Sequence, residues 1–412
     1  MMAAFTGIRR AVIGSLGLVT ASAVVPSVYL AALTAFALRR RRAAPPPSLT
    51  PIRFAVCIPA HNEATTIAIS VAAMRAQAYP ADLVDVYVVA DNCTDATVEI
   101  ARAAGAIVHD RVAPDHPGKG PALNWLHEKI ERGSFDVLVV IDADTIAEQD
   151  FLQAMSSAFA GDTLAAQGYY GVQRPGTSTS VALRYAALAC RHHLRPLGRT
   201  ALGGSCGLFG NGMAFRADVL DTRAWSGHLV EDAEFQLELL LDGVIVAYVP
   251  DARVAAEMPD SLEGATTQNE RWELGRLQLV RRFAPTLFVR SLRGGALQRT
   301  TYIDAAADLL LPQLSVLAAL DLVVITLGGL IRLVPAKPLG RVVLTGGLLS
   351  GVTLTIHVMI ALRTTRAPAS VYRSLLSAPS AILWKLGLLT RVARRPDSVA
   401  WTRTTRNQES AA

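Results

Sequence analysis

Ala11 to Leu38 runs for 28 residues without a charge, bracketed by Arg9-Arg10 and by Arg39 to Arg42. A helix of that length exceeds the roughly 20 residues needed to cross a bilayer core, so the run reads as a membrane span with room for tilt. Ala21-Ser22-Ala23 has the small-residue pattern of a leader cleavage site, but the apolar stretch continues to Leu38 and favours a retained span. The four-Arg cluster puts the following domain on the cytoplasmic side of an inner or plasma membrane. Ala43 to Ser48, with three consecutive prolines, reads as a stiff linker.

Two more stretches have spanning length. Leu309 to Ile331 covers 23 residues, interrupted by Pro312 and Asp321, and Val342 to Leu362 covers 21 residues without a charge. Three spans put the amino terminus outside and the basic tail inside. The short outer loop with Arg332, Lys337 and Arg341 runs mildly against the charge rule. The segments from Arg281 to Asp308 and from Ala381 to Leu389, the latter holding Lys385, mix apolar and basic residues and read as interfacial helices. This divides the chain into residues 1–50 (span and linker), 51–283 (a cytosolic domain) and 284–412 (interfacial helices, two spans and tail).

The net charge of +6 hides a division: residues 51–270 carry 15 basic and 28 acidic residues, a balance of −13, while the flanks are basic. An acidic domain is a poor partner for nucleic acid, and basic flanks beside apolar segments suit anionic membrane lipids. Cys57, Cys93, Cys190 and Cys206 lack metal-type spacing and read as reduced, buried thiols.

From Ile52 the pattern alternates strand and helix. Strands are expected at Ile52–Pro59, Asp85–Ala90, Ala106–His109 and Val137–Ile141, with helices at Ala64–Gln77, Ala96–Ala104 and Pro121–Ile130. That alternation argues an α/β fold with a mostly parallel, Rossmann-like sheet and a ligand crevice at the strands' carboxyl ends. The polar motifs fall there. Ile58 to Glu63 closes the first strand at a helix amino terminus, and Asp91 to Asp95 follows the second. Asn62, Thr94 and Asp95 are also ordinary helix-capping types. Gly118-Lys119-Gly120 presents one ammonium without the spacing of a phosphate-binding P-loop.

Asp142-Ala143-Asp144 ends the Val137–Ile141 run. Two carboxylates at a strand end repel unless a cation or solvent intervenes, and a divalent ion held by two carboxylates keeps positions open for phosphate oxygens. A glycine-dense stretch from Gly203 to Gly212 includes Asn211, and Glu231-Asp232 precedes a helix with Phe235, Leu239 and Leu240 on its apolar face. Acids at a helix start are favourable for dipole reasons alone, but they can also serve as a general base. Gln268, Arg271 and Trp272 share one helical face, where Arg can grip a pyrophosphate and indole can stack on a sugar ring. Together these parts point to sugar transfer from a nucleotide donor.

Taken in order, the motifs resemble the membrane-embedded family 2 glycosyltransferases with a GT-A fold, related to cellulose, hyaluronan and chitin synthases, over about residues 52–283. The resemblance implies that Asp142 and Asp144 hold Mg²⁺ or Mn²⁺ on the diphosphate of a UDP-sugar donor. It implies nucleotide-sugar contacts from Glu63, Asp91, Lys119, Gln268 and Arg271. It makes Asp232 the catalytic base of an inverting transfer, with Asn211, Glu231 and Trp272 toward the acceptor. Val230 stands where those synthases often carry Thr, and two spans after the domain are fewer than a polymer channel uses. The implied product is a growing poly- or oligosaccharide, with a separate channel or export partner left open. A single addition to a polyprenyl-phosphate or other lipid acceptor is the alternative, and a catalytically silent membrane subunit is a third.

Overall fold

The computed structural model describes residues 2–40, 51–260, 266–333 and 337–394. The expected Pro-rich linker lies outside the described residues. Helix α1 (Met2–Arg39) leads into the α/β unit: β1 (Phe54–Ala60), α2 (Ile67–Arg75), β2 (Val84–Asp91), α3 (Thr97–Ala103), β3 (Ile107–Arg111), α4 (Lys119–Lys129) and β4 (Val137–Val140). These follow the sequence-based assignments within a few residues. Beyond them the chain adds β5 (Thr145–Ala147), α5 (Phe151–Ala158), β6 (Ala165–Val172), α6 (Thr179–Ala189), α7 (Arg195–Ala201), β7 (Met213–Arg216), α8 (Ala217–Thr222), α9 (Glu231–Leu241) and β8 (Val246–Ala256).

The eight strands form one sheet in the order β3-β2-β1-β4-β7-β6-β8-β5. From β3 to β4 every pairing is parallel. Past β4 the sheet is mixed, because β7 runs antiparallel to both neighbours and β5 antiparallel to β8, while β6 and β8 are parallel. Alternation along the central strands feeds two cores. Phe54, Val56, Ile58, Val137 and Val139 pack with Ile67, Val71 and Met74 of α2 on one face. Ala55, Cys57, Leu138 and Val140 pack with Leu123 and Leu126 of α4 and Phe235 of α9 on the other. A strand buried on both faces reads as a continuous apolar run, which is why Val137–Ile141 stands out in the sequence.

The remaining helices are α10 (Thr266–Arg293), α11 (Ala296–Leu310), α12 (Leu314–Ile331), α13 (Lys337–Thr364), α14 (Ala369–Ser374) and α15 (Ala378–Arg394). Three helical segments are long and apolar enough to cross a membrane: Ile13–Arg39, Leu314–Ile331 and Pro338–Thr364. The expected second span begins later than Leu309 because α11 continues to Leu310, and Pro312 lies in the break before α12. Helices α1, α12 and α13 pack together, and α1 also packs on α7. There Gly198 meets the Leu33 carbonyl so closely that a Cβ has no room. A buried ion network reinforces this seam. Arg199 donates to Asp304 at 2.8 Å and to Asp308 at 3.0 Å, Arg195 pairs with Asp308, and the Tyr29 hydroxyl donates to Asp304 at 2.8 Å.

Candidate active site

The carboxyl ends of β1, β2 and β4 open into one cleft of about 270 Å³. Glu63, Asp91, Lys119, Asp142, Asp144, Glu231, Asp232, Gln268, Arg271 and Trp272 all line it. Of the residues expected at the donor, acceptor or metal, Asn211 is the one not among the lining residues. It is fully buried beneath the floor.

The Asp142–Asp144 turn is fixed from three sides. Asp142 N–H donates to Asn211 Oδ1 at 3.2 Å, Ser70 Oγ donates to the Ala143 carbonyl at 2.8 Å, and Gln173 Nε2 donates to the Asp144 carbonyl at 3.3 Å. Asn211 in turn donates from Nδ2 to Thr145 Oγ1 at 2.7 Å. Its amide therefore braces the acidic turn and also meets the hydroxyl of Tyr170, which lines the cleft.

Lys119, the first residue of α4, pairs with Asp142 and donates to the Gly210 carbonyl. Burial opposes its charge, but Asp142, Glu231 and Asp232 outweigh that and raise its pKa. Gly210 sits at φ +78°, and a Cβ there would come 3.3 Å from the Asp232 carboxylate and 3.6 Å from Lys119 Nζ. A bare Cα lets these groups converge.

Glu231 and Asp232 occupy the first turn of α9. Burial, then mutual repulsion, raises the Glu231 carboxyl, with Lys119 and Arg271 opposing. Burial likewise raises Asp232, against the Ala233 N–H and the Lys119 charge. Val230, just before them, packs its methyls against Gly275 of α10, so the apolar residue at this position serves as a contact between the two helices.

On α10, Gln268 Oε1 accepts a 2.7 Å hydrogen bond from Arg184 of α6, whose guanidinium lies 5.7 Å from the Trp272 ring centre. Burial lowers the Arg271 pKa, partly offset by Glu231, Asp232 and Asp142.

Sequence reasoning missed several supporting residues. Arg111, the register partner of Asp91 on β3, pairs with the Asp91 carboxylate, which also accepts the Gly118 N–H at 3.1 Å. Asp91 thus lines the cleft with part of its accepting capacity already used. Tyr170 and Phe209 add an aromatic wall through His192, whose ring stacks on theirs at 5.2 and 4.2 Å. The Asp91–Arg111 pairing was findable from strand register alone; the Tyr170–His192–Phe209 stack carries no sequence signal.

Seven carboxylates line the cleft against the cations Lys119 and Arg271. Asp91, Asp142 and Glu257 pair with Arg111, Lys119 and Arg174 respectively. Among the described residues no cluster of three or more His, Cys, Asp or Glu side chains is arranged as a metal cage.

Residues 51–275, more than half of the chain, match the family described as glycosyltransferase like family 2. The chain belongs to that family. This glycosyltransferase is 24% identical over 244 residues to the probable glycosyltransferase YdaM of Bacillus subtilis, covering 57% of this chain and 58% of that protein. It is 22% identical over 242 residues to the probable glucomannan 4-beta-mannosyltransferase 14 of Arabidopsis thaliana, covering 55% and 45%. The chain spans about half the length of the curated relatives it matches. Among solved structures, the mannosyltransferase PcManGT from Pyrobaculum calidifontis, in complex with GDP-Man and Mn²⁺, aligns with a TM-score of 0.55 at 18% identity. That alignment covers 84% of this chain and 98% of the other, and shows a shared GT-A fold that reaches beyond residues 51–275.

Proposed function

We propose that this glycosyltransferase is an inverting enzyme of the inner or plasma membrane with its catalytic domain, residues 51–283, in the cytoplasm. It takes a UDP-sugar and extends a poly- or oligosaccharide, in the manner of the cellulose, hyaluronan and chitin synthases. The observation that carries this reading is the convergence of Asp142, Asp144, Lys119, Asp232 and Arg271 on one cleft.

Each residue has a role its surroundings support. Asp232, with its pKa raised, is the base that takes the proton of an acceptor hydroxyl as that oxygen attacks the anomeric carbon. Glu231 beside it and Trp272 across the cleft bind the acceptor, the indole stacking on a sugar ring. Arg271 and Lys119 neutralise the charge that grows on the departing diphosphate. Gln268, Glu63 and Asp91 hold the nucleotide end. A divalent Mg²⁺ or Mn²⁺ fits the residues present: two hard carboxylates on a turn braced by Ser70, Asn211 and Gln173, in a cleft with surplus acidic charge. Asp142 and Asp144 would hold it, and it would supply Lewis-acid stabilisation of the diphosphate.

A second reading, one sugar added to a polyprenyl-phosphate or other lipid-linked acceptor, is favoured by the membrane portion. Among the described residues only two candidate spans follow the catalytic domain, which leaves secretion of a polymer to a separate channel or export partner. A silent subunit is disfavoured, because a sugar-binding protein without turnover has no use for a base, an acidic metal turn and a diphosphate-binding Arg together.

The test is nucleoside diphosphate release by the purified protein in lipid nanodiscs. The panel holds UDP-sugars and, because two relatives are mannosyltransferases by name, GDP-mannose, each with and without Mn²⁺ or Mg²⁺. Metal-dependent release with a lengthening labelled product supports the synthase reading. A single sugar on added lipid supports the second reading, and metal-independent release refutes the assignment of the Asp142 turn.

A further inference from the structure

The carboxy-terminal helix α15 lies wholly outside the family-matched residues 51–275, yet it holds the helix that carries Gln268, Arg271 and Trp272. Lys385, near its middle, is 6% exposed. Its ammonium lies 3.2 Å from Glu273 Oε1 and donates to Asn269 Oδ1 at 2.8 Å. Glu273 is 0% exposed; its carboxylate also has Arg276 of the same helix at 3.7 Å and interacts with the charge of Arg191, so Lys385 is the nearest of its cations. Six residues further along α15, Arg391 comes 3.6 Å from Glu270.

These contacts bracket the site residues. Asn269 and Glu273 follow helical spacing on the face of α10 toward α15, while Gln268, Arg271 and Trp272 line the cleft. On α15, Lys385 shares its inward face with Leu388 and Val392, both buried, and the helix packs on α12 as well as α10. Arg184 grips the cleft side of α10 through Gln268, so the start of this helix is held between two cations from different parts of the chain.

We infer that Lys385 is a positioning residue for the transfer reaction: by pairing with Glu273 and Asn269 it fixes α10 so that Arg271 and Trp272 meet the donor and acceptor. The inference rests on the proposed transferase reading. Lys385 is the cation closest to the buried Glu273 carboxylate, so loss of the ammonium leaves that charge poorly compensated and rotates or frees the first turns of α10. Misplacement of a reacting group by about 1 Å costs about a hundredfold in rate.

The experiment compares wild type with Lys385→Met, Lys385→Arg and the exchanged pair Lys385→Glu with Glu273→Lys, all as full chains in nanodiscs. Lys385→Met is expected to lower kcat about a hundredfold with little change in donor KM, because the lost interaction acts on the transition state. Lys385→Arg and the exchanged pair are expected to recover most of that loss. Hydrogen exchange of residues 266–276 is expected to rise in Lys385→Met alone. A Lys385→Met protein with wild-type kcat, or an exchanged pair no better than its single variants, overturns the inference. So does unchanged exchange protection of α10, a readout that needs no turnover. If wild type turns over no nucleotide sugar, the transferase reading falls, and the exchange data still decide whether Lys385 holds α10.

Discussion

Replacing Asn211 with Leu separates two roles that the sequence alone does not distinguish. The side chain is fully buried, and Leu has nearly its shape, so the change removes polarity without opening a cavity. Two interactions at the acidic turn are lost, the 3.2 Å bond from Asp142 N–H and the 2.7 Å bond to Thr145 Oγ1, together with a contact to the Tyr170 hydroxyl. A buried N–H left without an acceptor costs about 2 kcal/mol, and the amide–hydroxyl bond contributes about 1 kcal/mol. The loop itself stays, because Gln167 Nε2 independently donates to the Asn211 carbonyl at 2.8 Å. About 3 kcal/mol is therefore released by letting the Asp142 turn relax. If all of it appears in the transition state, kcat falls about a hundredfold. The assay is initial-rate release of nucleoside diphosphate, titrated separately in metal and in acceptor. A turn-shaping Asn211 gives a weaker apparent metal affinity and an unchanged acceptor KM. A raised acceptor KM with unaltered metal dependence would refute this reasoning and restore Asn211 as an acceptor contact.

Asp232→Asn removes the proposed base and should cut kcat by about 10²–10⁴ while nucleotide binding persists, measured by turnover and calorimetry. Because burial raises Asp232 above the usual 3.8, its active deprotonated form is lost on acidification earlier than for an exposed carboxylate. The acid limb of the kcat profile should lie above 3.8, and a limb at or below that value counts against Asp232. Folding responds in the opposite direction: Glu231 and Asp232 contribute stability below their ordinary pKa values, and it is lost as pH rises through the raised ones. Arg184→Ala frees Gln268 and the Trp272 ring together, so donor KM and acceptor KM should both rise; an unchanged acceptor KM would argue against Trp272 at the acceptor. Arg199→Met leaves Asp304 and Asp308 without their shared partner and should destabilise the protein by about 3–5 kcal/mol, read from chemical or thermal unfolding in detergent.

What the sequence disclosed follows from where its signals are local. Val137–Ile141 is buried on both faces, so five apolar residues ending in Asp142 announce a central strand and its carboxyl end together. Gln268, Arg271 and Trp272 announce themselves by helical spacing. The strands after β4 carry no such signature. Ala165–Val172 contains Gln167, Gly168 and Gly171, and β8 contains Pro250 and Asp251 beside a register shift at Gly168/Tyr169. Neither run is continuously apolar or cleanly alternating, so their pairing is decided by tertiary packing. The acceptor role of Asn211 comes from the family resemblance alone, and nothing in its glycine-rich neighbours signals that the side chain is fully buried. Arg184 lies 84 positions from Gln268 and Lys385 116 from Asn269, distances at which nothing in a single sequence signals contact.

The charge of the cleft ties the proposed chemistry to the fold. A diphosphate approaching seven carboxylates meets repulsion that Lys119 and Arg271 only partly offset, and the low dielectric of a part-buried cleft strengthens both effects. In the described state the Lys119 ammonium rests on Asp142, the carboxylate that the proposed cation would take. That pairing braces the acidic turn. Lys119 also reaches the Gly210 carbonyl, on the loop whose glycine approaches Asp232, so the ammonium joins the acidic turn to the base. A donor that arrives with its own divalent ion brings the positive charge the turn lacks and offers phosphate oxygens to the ammonium. An anion without such an ion brings only repulsion. Under the proposed reading, the surplus of carboxylates therefore selects for metal-bound nucleoside diphosphates over free anions, and this selection needs no residue outside the cleft.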